Sequence, residues 1–356
     1  MAKIDIEYHK LLNKILQEGY TYEDPNRKGV NRIEIPSYTF RHEFKDGFPA
    51  ITTKKLHYKN VVTELIWFLR GYTNIKYLVD NGCNIWNKDA YNYYLKLCKL
   101  KDSKPWLDKE SFISHIDPNH PYFIDYHTGD LGKVYGHYWR NYDGFDQIQD
   151  VIDKMINTPM SSEIIVTARN PNDKDTQALP CCHYGFQIVM RPLSIHERAT
   201  IGRQTRDVFT EGVYKSSEEL DEQGVVKYGF ELHWDQRSVD TFLGLPYNIT
   251  SYATLALILE KITGHKALAI QGDLKKVHLY DNSLDAVKEQ LSRDVDKYKF
   301  CQLEQSYFTE LMDEFDDKDF DLDEFIKMLD EDKEFIQLVN YESYPAINVE
   351  MLERDE

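Results

Sequence analysis

The chain contains no run approaching the roughly 18 consecutive apolar residues that a membrane-spanning helix needs. A stretch such as residues 255–259 is far too short, so no membrane association is expected. Cysteine is scarce: five residues (83, 98, 181, 182 and 301) among 356. An odd, small number in a large chain favours free thiols over a disulfide framework. The opening residues, Met-Ala-Lys-Ile-Asp-Ile-Glu, lack the apolar region of a secretory signal, and together with the thiols this gives a cytoplasmic expectation. No Gly/Ser- or Pro-rich linker and no repeat of solenoid period interrupts the chain, and its length fits one large domain or two small ones. No paired Cys/His ligand motif recurs, and no metal is expected. Basic residues are also short, with 43 Lys plus Arg against 60 Asp plus Glu and a net charge of −17. Residues 301–356 hold 19 of those acids and 4 of the bases, a local −15 that leaves −2 for the other 300 residues. A broad basic footprint for DNA is therefore missing, and the acidity belongs to the C-terminal segment.

What is present is an ordinary globular balance, 42% hydrophobic and 29% charged. Ile6, Leu11, Leu12, Ile15 and Leu16 recur at helical spacing and Gly19 stops them. Residues 60–69 read as a buried helix that nevertheless carries Glu64. Residues 163–169, 184–190, 228–234 and 267–273 read as strands, the third alternating cleanly through Tyr228, Phe230, Leu232 and Trp234. Residues 251–263 form a helix closed by Gly264, and Leu284, Val287 and Leu291 mark another. Strands alternating with helices give an α/β (α+β) class with one main sheet. Residues 91–129 and 192–227, dense in charge, read as insertions and surface excursions. The run Asp319, Asp321, Asp323 suggests a calcium loop, but Glu324 stands where that loop requires Gly, so a solvated face is expected.

Four segments carry possible chemistry. Leu179-Pro180-Cys181-Cys182-His183 puts two thiols at the mouth of a strand after a proline turn, where a cysteine can be exposed and nucleophilic; a buried, inert thiol is the plainer reading. Adjacency to His183 gives no Cys–His dyad, because consecutive strand residues face opposite sides. Arg237 and Ser238 follow an apolar strand directly, an arrangement suited to gripping a phosphate. Asn248 precedes a helix as an N-cap, or else offers its amide donor and acceptor to a pyrimidine edge. His278 and Tyr280, on one strand face, either bond a sugar hydroxyl or satisfy each other. Glu64, near Trp67 and with Ile85-Trp86 further on, is a carboxylate in an apolar helix, costly unless partnered and therefore an acid/base candidate.

Taken in chain order, these segments resemble the thymidylate synthase family: Asp46-Gly47-Phe48-Pro49 with Thr52-Thr53-Lys54-Lys55, Glu64-Leu65-Ile66-Trp67-Phe68-Leu69, Gly129-Asp130-Leu131-Gly132 leading to Tyr135-Gly136, Cys182-His183, Gln236-Arg237-Ser238 with Asp240, residues 242–248, and His278-Leu279-Tyr280. The similarity runs over roughly residues 6–349 apart from the two insertions. It implies a single domain around a large bent mixed sheet, active as a homodimer. It also implies reductive methylation of deoxyuridylate (dUMP) to thymidylate, with 5,10-methylenetetrahydrofolate donating the one-carbon unit and the hydride. By the same resemblance, Cys182 adds to C6 of the base, Asn248 holds the uracil amide edge, and Glu64 handles protons at the O4 side through water. Tyr135 assists removal of the C5 proton and Asp240 bonds the pterin. Arg27, Arg237 and Ser238 hold the phosphate, Gln236 orients its neighbours, and His278 and Tyr280 bond the ribose 3′-hydroxyl. Ile85, Trp86, Leu179, Leu243, Gly244 and Tyr247 lie against the folate, while His183 is structural or orders water.

Three departures stand out. Two adjacent arginines that the family supplies to the phosphate from the partner subunit correspond here to Ser162 and Glu163, in the run Ser161-Ser162-Glu163. Losing such contacts weakens binding by about 1.5–3 kcal/mol each unless they are replaced; Arg169, Arg191, Arg198, Arg203 and Arg206 are the candidates. After Tyr344-Pro345-Ala346-Ile347 the family's small apolar tail becomes Val349-Glu350-Met351-Leu352-Glu353. Asp89 stands where a tryptophan is usual. A wetter pocket favours water over hydride, so a deoxyuridylate hydroxymethylase is the alternative, and a non-catalytic nucleotide- or RNA-binding homologue the second.

Overall fold

The structure, a computed structural model, describes residues 3–101, 107–116, 129–173, 175–205, 216–299, 301–303, 321–331, 337–350 and 352. Its strands are β1 (Tyr20–Glu23), β2 (Asn31–Glu43), β3 (Ile165–Thr167), β4 (His183–Pro192), β5 (Tyr228–Gln236), β6 (Val239–Asp240), β7 (Lys266–Tyr280), β8 (Gln302–Leu303) and β9 (Leu338–Val339). The first seven form one mixed sheet in the order β1-β2-β7-β5-β4-β3, with β6 beside β7. Neighbours on that path are antiparallel except β5 and β7, which are parallel. The expected strand over 163–169 contracts to β3, whereas those expected over 184–190, 228–234 and 267–273 lengthen. β2 lacks a clean apolar alternation, with its face-changing Pro36, and has no counterpart among the expected strands.

Aromatic packing explains how the sheet meets its helices. Phe40, Gly272, Trp234 and Phe186 are cross-strand neighbours on β2, β7, β5 and β4. A Cβ on Gly272 would lie 2.3 Å from the Trp234 ring, so only glycine lets the indole lie flat across β7. Tyr252 stacks on the other side of Trp234, with centroids 5.1 Å apart and planes at 14°. Tyr252 belongs to the helix Leu245–Thr263, which starts with Pro246 in its first turn and ends at left-handed Gly264. It is buried on most sides, its Thr250 and Thr254 hydroxyls folding back onto carbonyls four residues earlier. The helix thus begins six residues before the expected start. Asn248 lies in its first turn, with Gly244 as the N-cap, which corrects the N-cap reading. Lys276, with φ 49°, lies opposite Pro36 on β2; Pro36 has no N–H for the ladder, and the pairing skips this position.

Other helices follow their sequence. Lys3–Glu18 buries Ile4, Tyr8, Leu11, Leu12 and Ile15, while Ile6 is only half-buried. Tyr58–Leu69 buries eight of its twelve residues. The two expected surface excursions carry small cores of their own where they are described. Tyr91, Tyr94 and Phe112 cluster, Phe112 fully buried. Arg198, 3% exposed, pins the helices Ile195–Thr205 and Ser217–Glu222 together through Asp221 and the Ser217 hydroxyl. Among the described residues no helix is long and apolar enough to cross a membrane.

Candidate active site

The site forms where β4 starts and β5 ends. His183 pairs with Gln236, so the residue before β4 and the residue after β5 meet: the Arg237 amide donates to the Cys182 carbonyl at 2.9 Å. Arg237 is aimed by its Nε bond to the Cys181 carbonyl (2.9 Å) and its Nη2 bond to that of Pro180 (2.6 Å). Nη2 then lies 3.8 Å from Cys182 Sγ, so a guanidinium borders the sulfur.

The two adjacent thiols differ sharply. Cys181 is 3% exposed; burial pushes its pKa up to about 12, and its sulfur accepts the Tyr135 amide. Cys182 is half-exposed. Its amide donates to the Tyr135 hydroxyl at 2.8 Å. Tyr135 has φ 24°, a strained value for a residue with a Cβ. It opens the short helix Gly136–Arg140, and its ring sits between His183 (4.3 Å) and Phe68 (4.9 Å). His183 is buried, bonded to the Tyr252 hydroxyl at 2.8 Å, and burial lowers its pKa to about 3. It is a neutral structural group, as the rejection of a dyad requires.

Glu64 projects from the Tyr58–Leu69 helix and accepts Trp86 Nε1 at 2.7 Å. Burial raises its pKa to about 7, partly offset by that indole bond. The Trp86 ring in turn lies 5.9 Å from the Tyr135 ring. Carboxyl, indole and phenol thus form one chain of contacts that ends on the Cys182 backbone amide.

Across the cleft, Gln236 Nε2 donates to Asn248 Oδ1 at 3.1 Å, which leaves the Asn248 amino group and a second lone pair for a ligand. Asp240 accepts the Phe242 and Leu243 amides on one oxygen and keeps the other. Ile85, Leu179, Leu243, Gly244 and Tyr247 are half-buried along this rim, and Trp86 is 9% exposed. Ser238 is half-buried beside them, its carbonyl bonded to Gln236.

His278 and Tyr280 do not satisfy each other: they only touch edge to face at 4.9 Å. His278 Nδ1 bonds the Lys276 carbonyl, while its buried Nε2 has no partner, as a ligand-facing atom would. The Tyr280 hydroxyl accepts Arg27 Nη1 (2.8 Å) and Arg32 Nη2 (3.1 Å). Arg27 Nε also reaches the Leu352 carbonyl, so Arg27 joins the site through Tyr280 and the tail and makes no contact with Arg237.

Sequence reasoning missed three supports. Arg32 and Asp24 form a buried ion pair behind Tyr280. Lys54, noted only within a motif, is buried; desolvation lowers its pKa to about 8, and it lies over Phe242 while donating to that residue's carbonyl. None of the three shows a periodicity or motif signal by itself. Ser162 and Glu163 are exposed. Of the cations that might replace the lost arginines, Arg191 is paired with Glu197 and Arg198 with Asp221. Arg169 is exposed and forms no ion pair among the described residues. The side chain of Arg203 and all of Arg206 lie outside them, as does Asp319. Asp321 accepts the Asp323 and Glu324 amides at the start of the helix Leu322–Glu331.

A half-exposed thiol beside a guanidinium, with a carboxyl raised to about 7 at the same cleft, is the arrangement of an enzyme suited to covalent, thiol-based catalysis. The family model described as "Thymidylate synthase" matches residues 6–353. The chain is 34% identical over 348 residues to a thymidylate synthase of Mycoplasma mobile, covering 97% of this chain and 99% of that protein. It is 35% identical over 291 residues to that of Malacoplasma penetrans, covering 81% and 85%. A thymidylate synthase of Phytoplasma mali is 31% identical over 318 residues, covering 89% and 95%. The chain belongs to the thymidylate synthase family and is a methyltransferase.

Proposed function

We propose that this chain converts deoxyuridylate to thymidylate, with Cys182 as the nucleophile. The observation that carries the assignment is the contrast between the neighbouring thiols: Cys182 is reachable and faces Arg237 at 3.8 Å, while Cys181 is buried and its thiol pushed up to about 12. In this reading the Cys182 thiolate forms a bond to C6 of the base, and electron density moves to C5 and O4. Glu64, poised near neutrality, exchanges a proton with the O4 side through water. Tyr135, held against the Cys182 amide, helps remove the C5 proton. Asn248, braced by Gln236, presents its amide to the uracil edge. The orphaned His278 Nε2 fits a sugar hydroxyl, with Tyr280 beside it, and Arg27, Arg237 and Ser238 take the phosphate.

The residues also fit a folate. Leu179, Leu243, Tyr247, Ile85 and Gly244 offer a half-exposed apolar wall against Trp86, and Asp240 keeps one free oxygen for a pterin donor. When bound, 5,10-methylenetetrahydrofolate supplies the one-carbon unit and the hydride. Arg169, exposed two residues beyond β3, is the proposed replacement for the lost arginine pair. A homodimer is proposed through the open sheet face, where Ile165 and Val189 are 48% and 42% exposed, and the cytoplasm is the proposed compartment. One domain with insertions near 91–129 and 192–227 is the proposed organisation.

The test is incubation with deoxyuridylate and methylenetetrahydrofolate, following dihydrofolate absorbance and the mass of the nucleotide. Thymidylate with equimolar dihydrofolate is expected. A hydroxymethyl nucleotide without dihydrofolate, or no product, overturns the proposal.

A further inference from the structure

The described helix of the acidic C-terminal segment has no part in the chemistry above, yet one of its faces is buried. Residues Leu322–Glu331 form a helix whose Leu322, Phe325, Ile326 and Leu329 are all buried. That spacing makes one apolar stripe, and it packs on the Tyr58–Leu69 helix, which carries Glu64. Each end of the acidic helix is then fixed by an ion pair. Asp330 meets Arg70 at 2.8 Å and accepts the Tyr77 hydroxyl. Asp323 meets Arg140 at 2.7 Å.

The two arginines occupy informative positions. Arg70 is the C-cap of the Tyr58–Leu69 helix, six residues and about 9 Å along the axis from Glu64. Arg140 ends the short helix that Tyr135 opens. It also donates to the Leu69 carbonyl and to Asp146, so one guanidinium joins the end of the Glu64 helix, the Tyr135 helix and the acidic helix. The backbones of the first two approach so closely that a Cβ on Gly136 would lie 2.6 Å from the Phe68 carbonyl oxygen. A shift at this junction therefore reaches both Glu64 and Tyr135.

We propose that the acidic helix is an ionic latch, and that Asp330 and Asp323, through Arg70 and Arg140, are positioning residues that hold Glu64 and Tyr135 in register at the cleft. This rests on the assignment of Glu64 as the acid/base group. Without the latch the Glu64 helix shifts, the cleft admits water, and the carboxyl loses part of its burial.

The ionisable groups facing Glu64 are Cys83 and Tyr135, both pushed up by burial, Cys83 to about 11; the third neighbour, Trp86, does not titrate. A transition near neutrality at this site therefore belongs to Glu64. The experiment is a pH titration of tryptophan fluorescence, taken as wild type minus Glu64→Gln, alongside kcat and KM of the full chain. In Asp330→Asn the transition moves down from about 7 toward 4.5, and kcat falls roughly tenfold while nucleotide KM changes little. The charge-reversed pair Arg70→Glu with Asp330→Arg recovers part of the loss. Asp323→Asn, which removes a carboxylate that is 80% exposed and so leaves the fold intact, moves the transition the same way by a smaller step and lowers kcat about twofold. If both asparagine variants leave the transition and kcat in place, or lower only the melting temperature, the latch is wrong. If the fluorescence of Glu64→Gln titrates like wild type, the assignment of Glu64 fails instead.

Discussion

At the head of β4, thiol, phenol, indole and carboxyl sit among buried aromatic rings; on the acidic helix Leu322–Glu331, carboxylates of the same intrinsic chemistry sit at the surface. Glu64 is displaced to about 7 by burial, against an ordinary 4.5. Asp323, its side chain 80% exposed, has an arginine 2.7 Å away but remains in contact with water. Solvent screening reduces such a pair to a few tenths of a kcal/mol. The difference lies in the surroundings and not in the residue types. Enclosure among Trp86, Tyr135 and Phe68 makes a polar group reactive, whereas exposure makes it a weak tether whose value depends on what it tethers.

The comparison breaks most clearly at the adjacent thiols. Cys182→Ser is expected to lower turnover by at least about a thousandfold, while Cys181→Ser retains most activity and loses some stability. Steady-state assays of both variants decide this, and the reverse pattern would place the nucleophile one residue too late.

Next is the buried pair behind Tyr280. Burial pushes the Asp24 carboxyl up, but the Asn26 amide together with Arg32 and Arg27 outweighs it and holds the group below its usual range. Arg32→Met leaves that carboxylate without its nearest cation and should cost about 3 kcal/mol in urea unfolding. A loss no larger than that of a surface pair would erase the distinction between the two regions.

The pH dependence of stability gives a finer test. Glu64 has a folded pKa above its unfolded value, so the folded chain keeps a proton that the unfolded chain releases. Its contribution is full below 4.5 and is lost as pH rises through about 7, about 3 kcal/mol in all. Denaturation midpoints between pH 4.5 and 7 should fall more steeply for wild type than for Glu64→Gln. Parallel curves would mean that the carboxyl is not enclosed.

The smallest effect belongs to the acidic helix itself. Asp323→Asn should change unfolding free energy by no more than about 0.5 kcal/mol, and a loss of several kcal/mol would show that this pair is not screened.

Much of the site was legible in the chain. Arg237, Asn248 and Tyr280 carry donor sets that only certain partners use, and Gly264 or Pro246 punctuate a helix wherever they occur. The N-cap reading of Asn248 failed because its helix begins at Leu245, packed under Trp234 by Tyr252, and that contact spans β5 and a distant helix. The mutual pairing of His278 and Tyr280 failed because Arg27 and Arg32 arrive from 253 and 248 residues away to take the Tyr280 hydroxyl. The described part of the acidic run is the solvated face expected, with Asp321 and Asp323 exposed, but nothing near it in sequence reveals that Arg140 lies opposite Asp323.

The sequence by itself determined the α/β class, the paired thiols, the family resemblance and the acidity of one segment, since composition, periodicity and local motifs are properties of neighbouring residues. Only the tertiary structure decided which thiol is exposed, why Glu64 titrates near neutrality and what the acidic helix holds. Those outcomes depend on burial and on contacts between residues far apart in the chain, and neither exists until the sheet has closed over its helices.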